Sequence, residues 1–228
     1  MSETVQLHAA DGFVFPAYVA RPAGAPRGAV VVVQEIFGVN AHIRAVADGY
    51  AADGYLAVAP DAFQRVQPGV QLGYTPEDIQ AGIALKGRVE ALAPPGVLPD
   101  LQAAVDYAAR SGAKVGMVGY CWGGLLTWRS ACLLQGLAAA VPYYGGGMTI
   151  GAEPARRPLC PVLCHFGAQD HAIPLPSVEA FRAAQPAVDV QVYDAQHGFN
   201  CDHRGSFDAA AAALARQRTL AFFALHLS

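Results

Sequence analysis

Apolar residues along this 228-residue chain gather into short unbroken runs, separated by stretches whose apolar positions recur at helical spacing. The run "GAVVVVQEIFG" (28–38) is β-branched and uninterrupted, the pattern of a strand buried on both faces. "YLAVAPD" (55–61), "KVGMVGY" (114–120), "LAAAVPYYG" (137–145), "PVLCHFG" (161–167) and "VDVQVYD" (188–194) share that character. Between them, "NAHIRAVADGYAADG" (40–54) predicts a helix capped by Asn40 and stopped by Gly54. "PDLQAAVDYAARSG" (99–112) predicts another, with proline at its start and glycine past its end. Residues 122–135 and the alanine-rich segment 206–227 add two more. "TPEDIQAGIALKGRVEAL" looks helical within a stretch, 62–98, whose prolines and glycines otherwise suggest irregular surface. At the start, VQLHA and FVFPAYV alternate around Asp11-Gly12, a hairpin signal.

Buried strands alternating with amphipathic helices predict an α/β fold: a mostly parallel sheet with helices on both faces, and the opening hairpin as an antiparallel edge. No repeat of fixed period and no low-complexity linker interrupts the order, so one domain is expected over 1–228, without a separate cap. Ligands of such sheets bind beyond the carboxyl ends of the strands. The chemistry should therefore lie just after the apolar runs.

Composition narrows the classes of function. Apolar residues at 54% against 14% charged describe a large, alanine-inflated core. No run of 18 apolar residues occurs, so no membrane span is expected. A net charge of −3 with scattered signs gives no footprint for nucleic acid and no polybasic membrane patch. The first residues, "MSETVQLHAADGF", lack the basic and apolar regions of a secretory signal. Together with five cysteines, an odd number, this suits reduced thiols in the cytoplasm.

The segment that carries chemistry is Gly119-Tyr120-Cys121-Trp122-Gly123, a G-x-S-x-G outline with sulfur in the serine's place. It lies where a strand should end and a helix begin. A nucleophile elbow needs small neighbours there because the turn is tight and packed on both elements. Gly119 and Gly123 supply them, and Gly124 adds room. The start of the following helix favours a thiolate and a neighbouring oxyanion. The ordinary reading is a packed cysteine in a glycine-rich turn; position in the α/β order favours the functional one.

A thiol nucleophile needs a base, and the base an orienting acid. His197, followed by Gly198, sits three residues past a strand end, where a mobile imidazole is needed. His165 falls inside an apolar run and reads as core. His203 is the reserve, and His171 beside Asp170 reads as solvated. Asp170 closes "CHFGAQD" just beyond a strand, with a turn or helix-cap role as its ordinary reading. Asp194 is too close in sequence to His197 for this task. The order Cys121, Asp170, His197 is that of the α/β-hydrolase fold. Glu35 also ends a strand, in "QEIFG", as a loop carboxylate or as a buried group facing the site. The N–H groups of Ile36 and Trp122 are the expected oxyanion donors.

The motifs "VVVQEIFGVN", "GYLAVAPDAF", "VGYCWGG", "FGAQD" and "HGF", in this order over most of the chain, resemble the dienelactone hydrolase family of α/β-hydrolases. The resemblance implies a Cys121-His197-Asp170 triad, with Glu35 contacting the resting thiol and taking part in its activation. It implies hydrolysis of a cyclic enol ester, dienelactone, to maleylacetate; no cofactor or metal is expected. It also implies two arginines for the substrate carboxylate, where this chain instead has "DIQAGIA" (78–84) and Cys201. Arg204 is the nearest substitute, with Arg88 also in the region. Tyr143 or Tyr144 is an expected pocket wall, and Trp122, Phe37 and Phe199 would make the pocket apolar.

Other classes fit less well. Cys160, Cys164 and His165 lie along one strand and do not converge as zinc ligands do. A redox-sensing Cys121 would leave the histidine and aspartate unexplained. A small-molecule binder that kept the fold would not need all three. Within hydrolysis, a general carboxylesterase or thioesterase of small acyl groups is the alternative. The expected partner is a small ester or lactone, acted on by a monomer or small homo-oligomer.

Overall fold

A computed structural model describes all 228 residues. Eight strands form one sheet in the order β1-β2-β4-β3-β5-β6-β7-β8. The hairpin β1 (Ser2–His8) and β2 (Val14–Ala20) turns through Gly12, whose φ of 84° suits a residue without a Cβ. It forms the antiparallel edge, β2 pairing with β4 (Leu56–Pro60). From β4 through β3 (Ala29–Val33), β5 (Val115–Tyr120), β6 (Leu137–Tyr143), β7 (Leu163–Gly167) and β8 (Asp189–Tyr193), every neighbouring pair is parallel.

All five residues of β3 and all six of β5 are buried, as their unbroken apolar runs require. Removing a valine side chain from water contributes about 1.5–3 kcal/mol, so these central strands anchor the sheet. Helices cover both faces. α1 (Ala41–Ala52) and α6 (Ala209–His226) share one, where Tyr50 meets Phe223 edge-on. α3 (Leu98–Ala109), α4 (Trp122–Leu133) and α5 (Leu175–Ala184) cover the other, Trp128 of α4 packing on Phe181 of α5. A single cluster of 64 buried apolar residues joins both layers. No helix is long and apolar enough to cross a membrane.

Within the irregular stretch 62–98, residues 76–90 are helical: α2 (Pro76–Glu90), closed at its start by a capping box between Thr75 and Asp78. α2 lies over the loop after β3, because Gly82 packs against the Ile36 carbonyl and a Cβ there would collide with it. Segment 78–84 thus borders the carboxyl edge of the sheet.

Candidate active site

Strand register explains why distant residues meet. Val33 of β3 pairs with Gly119 of β5, so Glu35 and Cys121 leave adjacent strands at the same level. Tyr120 pairs with Tyr143, which brings Tyr144 to the level of Cys121. Gly167 pairs with Tyr193, and Asp170 and His197 follow three and four residues later. All lie past the carboxyl ends of parallel strands, where a doubly covered sheet leaves its crevice.

Cys121 sits between β5 and α4 with φ 55° and ψ −118°, a backbone conformation rare outside glycine. Such strain persists only where the surroundings over-determine it. Here the Cys121 N–H donates to the Tyr143 carbonyl at 3.1 Å, and its own carbonyl accepts from Gly146 at 3.2 Å. A Cβ on Gly119 would strike the Gly123 carbonyl, and one on Gly123 would strike the carbonyls of Val33 and Gln34. The bare glycines therefore let α4 start directly on the ends of β3 and β5. The thiol is held at the helix N-terminus, partly open to solvent.

His197 Nδ1 donates to Asp170 Oδ2 at 2.7 Å. The other oxygen of Asp170 accepts from the N–H groups of Ala172 (2.8 Å) and Ile173 (3.1 Å). The buried carboxylate is thus fully engaged and fixes the imidazole with Nε2 turned away from it. Burial works to lower the pKa of His197. The charge of Cys121 and the hydrogen bond to Asp170 outweigh it and push the imidazole up to about 10. His197 is thus held by Asp170 and lies close enough to Cys121 to feel its charge. Asp194 accepts instead from Gln169 on the exposed side, and His203 is exposed. His165 is a core residue, bonded to Tyr193 and Thr219, with burial pushing its pKa down to about 3.

Glu35 is 1% exposed. Its Oε1 accepts from Arg204 Nη1 at 3.3 Å and its Oε2 from the Tyr74 hydroxyl at 3.4 Å. Its hydrogen bonds therefore run to these two residues rather than to Cys121, the contact expected from the resemblance. The nearby guanidinium supplies a partner for the buried charge. Arg204 fits because Gly198 has no side chain: a Cβ there would lie 2.5 Å from Arg204 Nη1. Its guanidinium also faces the Phe37 ring at 5.8 Å. Arg88 is committed elsewhere, donating to the Val66 carbonyl.

The Ile36 N–H makes no hydrogen bond within the chain, and Trp122 is the first residue of α4, whose N–H has no helical acceptor. The Trp122 indole is fixed by stacking on Phe63 and by donating to Glu90 at 2.8 Å. Tyr144 turns its ring edge toward His197, 5.1 Å between centroids, and toward Phe199, and its buried hydroxyl has no partner. Tyr143 differs from the expected pocket wall. Its hydroxyl bonds Thr219 of α6 at 2.7 Å, inside the core, because consecutive residues of a strand point to opposite faces. Sequence reasoning did not single out Tyr74. It packs on Phe37 with 4.5 Å between centroids and also accepts from Asn40. No spacing ties its loop to Glu35, so no sequence signal marked it.

A tight strand–helix turn carrying a thiol, beside a histidine oriented by a buried aspartate on a sheet of this order, defines a hydrolase of the α/β-hydrolase fold. The dienelactone hydrolase family model matches residues 15–227, and the chain belongs to that family. It is 37% identical to carboxymethylenebutenolidase of Pseudomonas putida over 98% of this chain and 97% of that protein. The Pseudomonas knackmussii enzyme of the same name matches equally well, at 37%. A crystal structure from Klebsiella pneumoniae, provisionally named a dienelactone hydrolase, superimposes with a TM-score of 0.81 at 33% identity, covering 98% of this chain and 99% of that one. A Pyrococcus furiosus esterase shares the fold, with a TM-score of 0.71 at 15% identity, covering 100% of this chain and 94% of that one.

Proposed function

We propose that the chain hydrolyses small esters or lactones through a thioester on Cys121, with His197 as proton carrier and Asp170 as its orienting acid. The observation that carries this reading is the 2.7 Å hydrogen bond between His197 and Asp170, with the imidazole raised by the charge of Cys121. In this reading His197 takes the proton of the Cys121 thiol. The thiolate attacks the carbonyl carbon, and the oxyanion takes hydrogen bonds from the N–H groups of Ile36 and Trp122. His197 returns its proton to the departing oxygen as the carbon–oxygen bond breaks. Water, deprotonated by His197, then cleaves the thioester and restores the thiol. The buried Tyr144 hydroxyl, free of partners, is a further donor for a substrate oxygen. Phe37 and Phe199 supply the apolar walls.

Arg204 is the residue for a substrate carboxylate, because a guanidinium can grip one through two parallel hydrogen bonds. Gripping it means competing with Glu35. The carboxylate so released is then free to take part in activating Cys121. The names of the Pseudomonas relatives favour dienelactone as substrate. Cys201 and the arginine-free segment 78–84 favour a broader second reading: a carboxylesterase or thioesterase of small acyl groups acting in the cytoplasm. Turnover of an enol lactone bearing a carboxylate, measured beside a neutral aryl ester on one preparation, separates them. A Cys121→Ala protein that retains turnover of both would overturn the hydrolytic reading of this site.

A further inference from the structure

Behind Arg204, three buried side chains from separate parts of the chain converge: Glu35 after β3, His42 in the first turn of α1, and Cys201 after the His197 loop. A carboxylate oxygen, a ring nitrogen and the sulfur all lie within 4.8 Å of one another. His42 is 3% exposed, and its Nε2 has no hydrogen-bond partner. Its Nδ1 lies 3.1 Å from Asp202 Oδ1, an acceptor, so the proton belongs on Nδ1 and Nε2 keeps a bare lone pair. A buried lone pair with nothing to accept from is costly unless an acid meets it.

We propose that Glu35, His42 and Cys201 form a binding site for a zinc-class divalent cation, with Asp202 orienting the histidine from behind. Mixed sulfur, nitrogen and oxygen ligands select borderline metals over calcium or magnesium, which take oxygen. The charges balance, since a thiolate and a carboxylate offset a dication and the imidazole stays neutral. Tetrahedral zinc holds its ligand atoms roughly 3.3–3.6 Å apart, so closure needs a shift of about an ångström, which Glu35 gains by leaving Arg204. The carboxylate–histidine–metal arrangement recurs at zinc sites because the carboxylate fixes tautomer and ring direction. Three protein ligands leave a fourth position for an exogenous one. Occupancy would hold Glu35 away from both Arg204 and Cys121, a consequence for turnover that rests on the proposed hydrolytic reading.

Titration of the Cys121→Ser protein with Co²⁺ tests the site without help from activity, since it removes the partly open thiol that the proposed reaction uses. The expected result is one bound equivalent with a near-ultraviolet thiolate-to-cobalt charge-transfer band. That band should vanish in Cys121→Ser proteins also carrying Cys201→Ser or Cys201→Ala. Asp202→Asn in the same background should weaken binding roughly 10–100-fold while keeping the band, as loss of an outer-shell partner does. Circular dichroism establishes that each variant is folded. No uptake by the folded Cys121→Ser protein, or a band that survives loss of Cys201, would overturn the proposal. His42 and Cys201 would then be a thiol–imidazole contact and nothing more.

Discussion

Arg204 Nη1 stands 3.3 Å from Glu35 Oε1, joining two residues 169 positions apart at the mouth of the crevice. Glu35 is almost wholly buried and Arg204 largely so. A buried carboxylate without a partner is strongly disfavoured, so the arginine compensates the acid in the free protein. An anionic substrate bound as proposed would share or take that guanidinium.

Arg204→Ala should therefore discriminate among substrates. A hydrogen bond to a charged group contributes about 1.5–3 kcal/mol, so kcat/KM for a carboxylate-bearing lactone should fall roughly 10–150-fold. For a neutral aryl ester the change should be small. Equal losses on both substrates would show that Arg204 serves Glu35 rather than the substrate.

Gly198→Ser should reproduce part of this effect. The added side chain would occupy the space of the Arg204 guanidinium, at a residue whose φ is already 78°. The expected outcome is a raised KM for the carboxylate-bearing substrate, with far-ultraviolet circular dichroism unchanged. A KM equal to that of the unaltered protein would mean that Arg204 finds another seat.

Gly123→Ala should be damaging for a different reason. Its Cβ would meet the Val33 and Gln34 carbonyls, which are backbone and cannot swing aside. Overpacking of this kind costs about 1–3 kcal/mol, readable as a lowered urea midpoint. Activity should fall further than stability, because the displaced strand end carries Glu35 and Ile36.

Stability should also carry a signature of His197 in its pH dependence. The folded-state pKa, about 10, lies above the ordinary 6.5 despite opposing burial, through the charge of Cys121 and the bond to Asp170. The sign follows from proton binding: the folded state binds the proton more tightly. The resulting stabilisation is fully present below about 6.5 and is lost as pH rises to about 10. Cys121→Ala removes the largest supporting charge. The difference in urea midpoint between the two proteins should change across that window, whereas a constant difference would contradict it.

The sheet was legible because its strands are buried on both faces and leave unbroken apolar runs. The expected strand of 114–120 appears as Val115–Tyr120, and that of 188–194 as Asp189–Tyr193. The positions of Cys121, Asp170 and His197 beyond strand ends were legible because each follows such a run. Which of Tyr143 and Tyr144 faces the site was not legible, because strand alternation decides their direction and "PYYG" does not say which tyrosine faces which side. The Glu35–Arg204 pair was hidden for a similar reason. It depends on the absence of a side chain at Gly198 and on a loop path that no periodicity encodes.

Turnover as proposed passes through a covalent thioester on Cys121. Rapid acid quenching during turnover of an aryl acetate, followed by peptide-mapped mass spectrometry, tests it most directly. One added acetyl group is expected, confined to the peptide containing Cys121 and released by hydroxylamine at neutral pH. An acetyl group on another residue, with Cys121 unmodified while turnover proceeds, would contradict it.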